Sequence, residues 1–459
     1  MSDAYDVVVV GAGTGGYSCA LRAAQLGKRV ALVERDERLG GTCLLRGCIP
    51  TKALLQSASV MDTITRSDEW GVKASGEPDW DQVKAFESKM IDKLVSGLTG
   101  VVKTRKIDVI RGTARLRPGP AVEVDGRTIQ ATDVVVATGS TPRLLPGLEV
   151  GERIITSDQA LFYPTIPSSA VVIGAGAVGL EFASLYRSFG ADVTVIEAVP
   201  RIAPLEDESV SKEVARHFRR RGIQTFAGAS VQGVDDTGDA VKVVYDVGGE
   251  TKTARADVCL VAVGRGPVTT DLGLEDAGVE IDRGFVKVDG QLQSTAPHVW
   301  AVGDVAATPL QLAHVAFTEG YAVAERIAGD GPPEIDYAGI PRVTYSSPEI
   351  ASVGLTEAQA TERGHDVQTE TLNFQGIGKA NIVGENGIVK LVGENHGGPV
   401  LGIHMVGPHV TDLIAEGMLI TNWEATAEEV AAMFHPHPSL SEAVGEAFLA
   451  LAGKPLHSV

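Results

Sequence analysis

The sequence of 459 residues contains few cysteines, few aromatic residues and no excess of basic side chains. Its 40 lysines and arginines stand against 59 aspartates and glutamates, and the formal net charge of −19 argues against nucleic-acid or anionic membrane partners. No apolar run approaches the ~18 residues of a membrane span. The opening MSDAYDVVVV runs directly into a predicted strand, so we expect no signal or transit peptide and a cytoplasmic protein.

Only four cysteines occur, which does not suit the disulfide framework of a small secreted protein. Cys19 and Cys259 lie in apolar stretches that predict buried, inert thiols. Cys43 and Cys48 lie five positions apart in GGTCLLRGCIPTKALL, residues 40–55. Such a close pair in a protein expected to be cytoplasmic points to redox or metal chemistry.

On a regular helix, residues five apart point about 140° away from each other, too far for a disulfide. Gly47 and Pro50 predict a local structure that still allows the disulfide. In it, an irregular loop closes the ring between the cysteines and Pro50 begins the next helix. A small ring of this kind is easily reduced, which suits a working disulfide. Two buried thiols are the alternative. Metal binding is weaker, because only the HPH segment of His435 and His437 could supply further ligands.

A strand, a glycine turn and a helix are predicted at residues 5–34, YDVVVVGAGTGGYSCALRAAQLGKRVALVE. The turn carries Gly11, Gly13 and Gly16, and Glu34 lies 23 positions after Gly11 (34 − 11). Glycines allow the tight turn and the close approach of a pyrophosphate, and the acidic residue binds ribose hydroxyls. The segment predicts a dinucleotide site.

The same unit recurs at residues 169–197, with Gly174, Gly176, Gly179 and Glu197, again 23 positions after the first glycine (197 − 174). A 2′-phosphate beside Glu197 would be repelled by roughly 1–4 kcal/mol, which favours NAD over NADP. Two fingerprints imply two dinucleotides, most simply FAD and NAD. The cysteine segment comes directly after Glu34, so the first unit is expected to hold FAD.

The order of elements predicts an α/β protein with two Rossmann-like nucleotide-binding domains and a C-terminal α+β domain for dimerisation. We expect an FAD-binding domain at 1–145 and 266–337, an NAD-binding domain at 146–265 and an interface domain at 338–459. The strands of 126–140 and 254–267 form a second matched pair, each ending in a glycine turn. The polar, Pro-rich segment 329–341 is predicted to be a linker.

The chain resembles the class I pyridine nucleotide–disulfide oxidoreductase family, and within it the dihydrolipoyl dehydrogenases, nearly from end to end. The motifs that carry the resemblance are GGTCLLRGCIPTKALL, ATGS (137–140), GAGAVGLEFAS (174–184), AVGRGP (262–267), AVGDV (301–305), LAHVAFTEG (312–320), SSPEIASVGLTEAQA (346–360) and HPHPSLSE (435–442).

The resemblance implies that Cys48 forms the charge-transfer thiolate beside the flavin, and that Cys43 exchanges with dihydrolipoamide. It also implies that Lys52 approaches flavin N5 and pairs with Glu181, each one turn into a helix. Further cofactor contacts implied by the family lie at matching positions, and no metal is expected. Those for FAD are Gly41, Thr42, Lys52, Ala114, Thr138, Gly139, Ser140, Asp304, Gln311, Leu312, Ala313 and His314, and those for NAD are Glu181, Val231 and Gly264.

His437 and Glu442 are predicted to form an acid–base pair. A dihydrolipoyl thiol is mostly protonated at pH 7, whereas exchange needs the thiolate, and a histidine can take that proton. A carboxylate on the other ring nitrogen fixes the tautomer and raises the basicity. A surface histidine is the alternative. For His435 an auxiliary and an exposed position are both open.

The family implies a homodimer in which this histidine reaches the other subunit's disulfide. It also implies oxidation of dihydrolipoamide on an acyltransferase or carrier protein of a 2-oxoacid dehydrogenase or glycine cleavage complex. One alternative is an NAD(P)H-dependent reductase of a small disulfide of the glutathione or mycothiol type, and another is a mainly structural docking subunit. A mercuric reductase would be expected to add a C-terminal cysteine pair, which the tail lacks.

Leu45 and Arg46 stand where relatives commonly have Asn-Val, and Thr51 replaces a usual serine. We hypothesise that Arg46 lowers the pKa of a nearby thiol or biases the substrate end of the disulfide.

Overall fold

In a computed structural model, which describes residues 4–457, the chain divides into two compact units. The first contains the residues up to 53, 81–143 and 265–337. The second contains 54–80, 144–264 and the residues from 338 onward. The division leaves the NAD-binding and interface segments in one unit, so the predicted division into four segments stays a prediction.

The strands of the two units, in chain order, are β1 Tyr5–Val10, β2 Val30–Glu34, β3 Asp108–Arg111, β4 Ala114–Arg117, β5 Ala121–Val124, β6 Arg127–Val136, β7 Ser140–Pro142, β8 Ile154–Ile155, β9 Ser169–Ile173, β10 Asp192–Glu197, β11 Gln224–Ala227, β12 Ser230–Asp236, β13 Val241–Val247, β14 Glu250–Ala256, β15 Val258–Val261, β16 Arg265–Pro267, β17 Ile281–Asp282, β18 Phe285–Val286, β19 Val299–Ala301, β20 Arg342–Thr344, β21 Glu349–Gly354, β22 Val367–Asn373, β23 Ile388–Glu394 and β24 Val400–Gly407.

The helices are α1 Thr14–Gln25, α2 Gly41–Arg46, α3 Cys48–Thr65, α4 Trp80–Thr104, α5 Ser157–Leu161, α6 Ala177–Ser188, α7 Glu208–Arg220, α8 Ala313–Ala328, α9 Glu357–Glu362, α10 Gly378–Val383, α11 Val410–Asn422, α12 Ala427–Ala431 and α13 Glu442–Leu451. Short 3₁₀ turns occupy Ser67–Trp70, Gly303–Val305 and Phe374–Gly376.

The first unit is built on a parallel sheet in the order β3-β2-β1-β6, with β19 also parallel to β6. The other end of β6 pairs antiparallel with β5, which pairs with β4. The run Val7–Val10 in β1 is almost wholly buried, as expected for a central strand covered on both faces. The parallel strands bring their carboxyl ends, and the glycine turns, to one edge.

Helices α1 and α8 pack together in the first unit, and Ala20, Ala23, Val323 and Ala324 share one apolar cluster. Their contact is close at Gly320. A Cβ atom there would lie 2.2 Å from Ser18 Oγ and 2.5 Å from the carbonyl oxygen of Gly15. The absence of a side chain therefore lets the two helix backbones approach.

The second unit contains a parallel sheet in the order β11-β10-β9-β15-β8, the antiparallel ribbon β12-β13-β14 and a five-stranded antiparallel sheet. The last has the order β20-β21-β24-β23-β22. Helices α11 and α13 contribute Ile414, Val444 and Phe448 to its apolar core. The predicted α/β fold, with an α+β C-terminal segment, is confirmed.

Residues 329–341 contain no helix or strand, in agreement with the predicted linker. Cys19 and Cys259 are fully buried, as predicted. Within residues 4–457, no helix is both long and apolar enough to cross a membrane.

The prediction that Pro50 begins a helix after an irregular loop is wrong. Helix α3 begins two residues earlier, at Cys48, and Cys43 lies in helix α2. The first four amides of a helix have no partner within the helix, so a proline in the first turn removes no hydrogen bond. The chain is interrupted only at Gly47, between the two helices.

We expect Gly320→Ala to lower the free energy of unfolding by about 1–3 kcal/mol, because the new methyl group meets backbone atoms of α1. Gly97→Ala in α4 is the matched control, since open space surrounds Gly97 and alanine favours a helix by up to about 1 kcal/mol. Urea unfolding would measure both variants. Equal midpoints for the two would contradict the close packing of α1 and α8.

Candidate active site

The first glycine turn connects β1 to α1. Gly11 has φ +102°, and a Cβ atom there would lie 2.4 Å from the carbonyl oxygen of Ala137. A Cβ atom on Gly16 would lie 1.8 Å from the carbonyl oxygen of Gly11. At Gly13 the nearest atom would be 3.9 Å away. The outer glycines thus permit the turn, while Gly13 leaves space for a pyrophosphate at the start of α1.

Glu34 ends β2 beside this turn. Its two oxygens accept hydrogen bonds from the backbone amides of Ala12, at 2.7 Å, and Asp36, at 2.9 Å. Glu34 as a whole is only 7% exposed. Since each carboxylate oxygen has a second acceptor position, Glu34 can still bind ribose hydroxyls. The turn fits the adenosine end of a dinucleotide.

The second glycine turn repeats this geometry. A Cβ atom on Gly174 would lie 2.4 Å from the carbonyl oxygen of Ala262, and one on Gly179 would lie 1.9 Å from that of Gly174. Gly176 has no atom within 4 Å of its Cβ position. Glu197 accepts from the amides of Ala175, at 2.6 Å, and Val199, at 3.0 Å. The second turn therefore also fits a dinucleotide.

Residues 138–140 come after β6 at the edge of the first sheet. Thr138 Oγ1 donates to the carbonyl oxygen of Val268 at 2.7 Å, and Gly139 has φ +72°. Ser140 Oγ donates to Asp304 Oδ2 at 2.5 Å and accepts from Arg265 Nε at 2.7 Å. The structure thus brings together Ser140 and Asp304, two predicted FAD residues, and adds Arg265, which sequence reasoning missed.

The predicted FAD segment 311–314 lies at the start of α8. The helix itself begins at Ala313, with Leu312 as the N-cap, so Gln311 precedes it. Gln311 Nε2 donates to the backbone oxygen of Asp304 at 3.4 Å. His314 lies in the first turn, where the positive end of the helix dipole favours an anionic or electron-rich group.

The cysteine segment begins against the first glycine turn. Gly41 has φ +58°, and a Cβ atom there would lie 2.5 Å from Gly13 Cα. Thr42 and Cys43 follow in α2, while Cys48 is the first residue of α3. A side-chain hydrogen bond with Cys48 and then burial raise the pKa of the Cys43 thiol, and the positive charge of Lys52 acts in the opposite direction. The two sulfur atoms are therefore close neighbours, with an ammonium group nearby.

Arg46, between the two cysteines, forms a salt bridge with Asp36. The Asp36 carbonyl accepts from Arg111, at 2.7 Å, and the Asp36 amide donates to Glu34. Because the guanidinium is already paired, this geometry weakens the hypothesis that Arg46 lowers a thiol pKa. The salt bridge instead ties the end of α2 to the chain after Glu34.

Lys52 and Glu181 are each the fifth residue of a helix, α3 and α6, as predicted. Glu181 is buried, and its Oε1 accepts from the backbone amide of Tyr345 at 2.9 Å. The pairing of Lys52 with Glu181 stays a prediction.

His437 Nδ1 lies 2.7 Å from Glu442 Oε1, as the predicted acid–base pair requires. Burial raises the pKa of Glu442, but hydrogen bonds from the Ser439 amide and His437 outweigh it and hold that pKa below its usual value. The carboxylate is ionised at neutral pH and orients the ring. Because His437 Nδ1 faces this carboxylate, its Nε2 is the nitrogen that can accept a substrate proton.

His435 forms a separate pair, with Nε2 2.8 Å from Glu416 Oε1, and its side chain is only 11% exposed. The hydrogen bond to Glu416 raises the pKa of His435. The structure therefore excludes the exposed position as an alternative for His435, because its side chain is largely buried and paired with Glu416.

Three further predicted cofactor residues occupy different places. Ala114 is buried in β4, Val231 is half-buried in β12 and Gly264 comes after β15 with φ +105°. Their contacts with FAD and NAD stay predictions. Among residues 4–457, no cluster of three or more histidine, cysteine or acidic side chains could hold a metal ion.

Sequence reasoning missed Tyr17 in α1. Its pKa is raised by burial and by the charges of Cys43 and Cys48, so the phenol lies near both cysteines. Its ring meets Phe317 edge-on, with centroids 5.5 Å apart. The sequence signal that could have identified it is its position directly after Gly16 of the glycine turn.

A cysteine pair and two dinucleotide sites define a disulfide oxidoreductase that works with two nucleotide cofactors. The chain belongs to the pyridine nucleotide-disulphide oxidoreductase family, which it matches over residues 5–320, and residues 340–448 match the dimerisation domain of that family.

Curated relatives include a dihydrolipoyl dehydrogenase of Bacillus subtilis (strain 168), 43% identical, with all of both chains covered. One of Thermus scotoductus is 40% identical, with 99% of this chain and 98% of the relative covered. A solved structure of LpdA from Mycobacterium tuberculosis has a TM-score of 0.89 at 27% identity, covering 97% of this chain and 99% of that one. The Escherichia coli flavoprotein disulfide reductase RclA has a TM-score of 0.87 at 27% identity, with the same coverage.

We expect Arg46→Ala and Asp36→Ala to be coupled by about 0.5–1 kcal/mol in a double-mutant cycle, since both side chains are half-buried. The control cycle uses Arg38→Ala and Asp92→Ala, a more exposed pair in the same unit, for which coupling near zero is expected. Urea unfolding supplies the free energies. Additive effects at Arg46 and Asp36 would show that their salt bridge contributes nothing to stability.

Proposed function

We propose that the protein oxidises protein-bound dihydrolipoamide and reduces NAD+, through the Cys43–Cys48 disulfide and FAD. The observation that carries the proposal is the placement of the cysteine pair directly against the first dinucleotide turn, through Gly41 and Gly13. Full-length identity of about 40% to dihydrolipoyl dehydrogenases supports the same activity.

The first glycine turn, Glu34 and the residues around Asp304 would hold FAD. The second turn and Glu197 would hold NAD, with Val231 and Gly264 at its border. When bound, FAD carries two electrons from the cysteine pair to NAD+. The protein's own groups supply the thiol chemistry and the proton transfers.

In the oxidised protein, a substrate thiolate attacks the sulfur of Cys43, the Cys43–Cys48 bond breaks, and Cys48 leaves as a thiolate. The second substrate thiol then displaces Cys43, which gives the cyclic substrate disulfide and two reduced cysteines. Two electrons pass to the cysteine pair. His437 takes the thiol proton at Nε2, and Glu442 stabilises the resulting imidazolium.

The protein would act as a homodimer, for which its dimerisation domain is the support. Phe434 is fully exposed and Met433 is 65% exposed in the single chain, next to the HPH segment. Large apolar side chains at such positions suit coverage by a second copy, in which His437 would serve the partner's disulfide. The lipoylated partner and the cytoplasmic location are proposed on the resemblance alone.

The deciding experiment is a steady-state comparison of NADH with lipoamide against NADPH with glutathione or mycothiol disulfide. We expect the first pair to be faster. We expect Glu197→Gln to raise kcat/KM for NADPH relative to NADH by about fivefold or more, because a repulsion of roughly 1–4 kcal/mol is removed. Glu250→Gln, a surface carboxylate of β14, is the control.

Faster turnover with NADPH and a small disulfide would replace the proposal by the reductase alternative. If the protein binds its lipoylated partner but dihydrolipoamide does not reduce the flavin, the alternative function as a mainly structural docking subunit would be favoured.

We expect His437→Gln to lower lipoamide turnover by about 10²–10⁴-fold, since it removes the base from the thiol step. Flavin reduction by NADH does not use this proton and should persist, which stopped-flow absorbance would measure. His365→Gln is a matched control, because His365 also pairs with a glutamate, Glu394, at 3.1 Å. Equal turnover in both variants would remove His437 from the mechanism.

A further inference from the structure

Glu319 is a carboxylic acid buried inside the first unit. It lies in the second turn of α8, and its side chain is 0% exposed. Charged side chains are seldom fully buried unless they are paired, because burying a charge is unfavourable. The groups that contact this carboxylate are a backbone amide, a phenol and a hydroxyl, and none of them is a cation.

The carboxylate joins three segments of the chain. Glu319 Oε2 accepts from the backbone amide of Gly303 at 2.6 Å, and Oε1 accepts from the hydroxyl of Tyr337 at 2.8 Å. The side chain of Thr308 forms a further hydrogen bond with it. Gly303 opens the 3₁₀ turn that carries Asp304 and has φ +73°. Glu319 therefore holds this turn against α8, and Tyr337 holds the carboxylate.

The same turn also forms hydrogen bonds with predicted FAD residues. Ser140 donates to the Asp304 carboxylate and Gln311 donates to its backbone oxygen. Asp304 is one of the residues proposed to hold FAD, and the FAD residues predicted at 312–314 lie at the start of α8. Glu319 links the Asp304 turn to α8, because it belongs to α8 and accepts a hydrogen bond from the Gly303 amide of the turn.

The charge on Glu319 changes near neutral pH. Burial raises its pKa to about 7, against the hydrogen bonds from Gly303, Tyr337 and Thr308, and the nearby charge of Asp304 also raises it. Arg326 is the further charged group that faces Tyr337. A hydrogen bond from Gly303 to an ionised carboxylate is about twice as strong as one to a neutral acid. The hydrogen bond from Gly303 to Glu319 therefore becomes stronger as the pH rises through about 7.

We propose that Glu319 is a positioning residue for FAD, which sets the Asp304 turn through the Gly303 amide and is itself fixed by Tyr337. This inference rests on the proposed function only in placing FAD in the first unit.

The test uses the full-length, FAD-loaded protein and two measurements, the rate of FAD release in dilute urea and the flavin midpoint potential between pH 6 and 8.5. Glu319→Ala should release FAD at least about tenfold faster, since it removes a hydrogen bond to a charged group. Glu319→Gln keeps an acceptor for the Gly303 amide and should release FAD within about threefold of the wild type.

The potential separates positioning from a general loss of packing. For the wild type, the plot of flavin midpoint potential against pH should change slope near pH 7. Glu319→Gln should remove this change of slope, and Tyr337→Phe should move it to a different pH. Glu325→Gln, on the same helix but paired with Arg22 near the surface, is the control and should match the wild type in both measurements.

Wild-type release rates in Glu319→Ala, or an unaltered slope in Glu319→Gln, would overturn the inference. A wild-type protein that binds no FAD would overturn the proposed function, and this inference with it. Wild-type protein that binds FAD but fails to oxidise dihydrolipoamide would reject the activity and leave both flavin measurements valid.

Discussion

The candidate site depends on a contact between two backbones, at Gly13 and Gly41. Any side chain on Gly41 would lie within 2.5 Å of Gly13 Cα, and the Gly40 amide donates to the carbonyl oxygen of Ala12 at 2.9 Å. The helix that carries Cys43 thus starts on the turn proposed to receive a pyrophosphate. Because the contact joins backbone atoms, the cysteine segment and the turn are placed without the rotamer freedom of a side chain. Redox chemistry between a cysteine pair and a bound dinucleotide requires such fixed placement.

The two dinucleotide turns share one design and then diverge. In both, the first and third glycines face a carbonyl oxygen, and the glutamate accepts two backbone amides at 2.6–3.0 Å. After Glu34, however, the chain enters Gly40, Gly41 and the cysteine helix. After Glu197 it continues to α7, whose N-cap Asp207 forms a buried salt bridge with Lys390 of the antiparallel sheet. The segment on the C-terminal side of the glutamate, and not the nucleotide fold itself, gives each copy its role.

The features predicted well from the sequence are those encoded by residues close together in the chain. The glycine turns, the parallel strands and the pair of His437 with Glu442, five positions apart, are of this kind. The helical state of the segment around Gly47 was missed, because a single glycine interrupts two helices without opening a loop.

The contacts between Arg46 and Asp36 and between Glu319 and Gly303 were also missed. They join residues 10 and 16 positions apart across different elements, and no periodicity or cap signals them. Tyr337 shows why such groups escape sequence reasoning. It lies in a segment predicted only as a linker, yet its hydroxyl reaches a buried carboxylate. Contacts between polar groups of this kind can be identified only once the fold that brings them together is known.

The exposure of His437 places a constraint on how the chemistry can proceed. Its side chain is 77% exposed in the single chain, although Glu442 is mostly covered. A base that takes a proton from a thiol works best where water is excluded, because the imidazolium and its carboxylate then attract each other more strongly. The fully exposed Phe434 lies three residues away on the same segment. Covering this apolar surface with a second subunit would exclude water from the base at the same time. Assembly and catalysis would then depend on the same segment, which contains both Phe434 and His437.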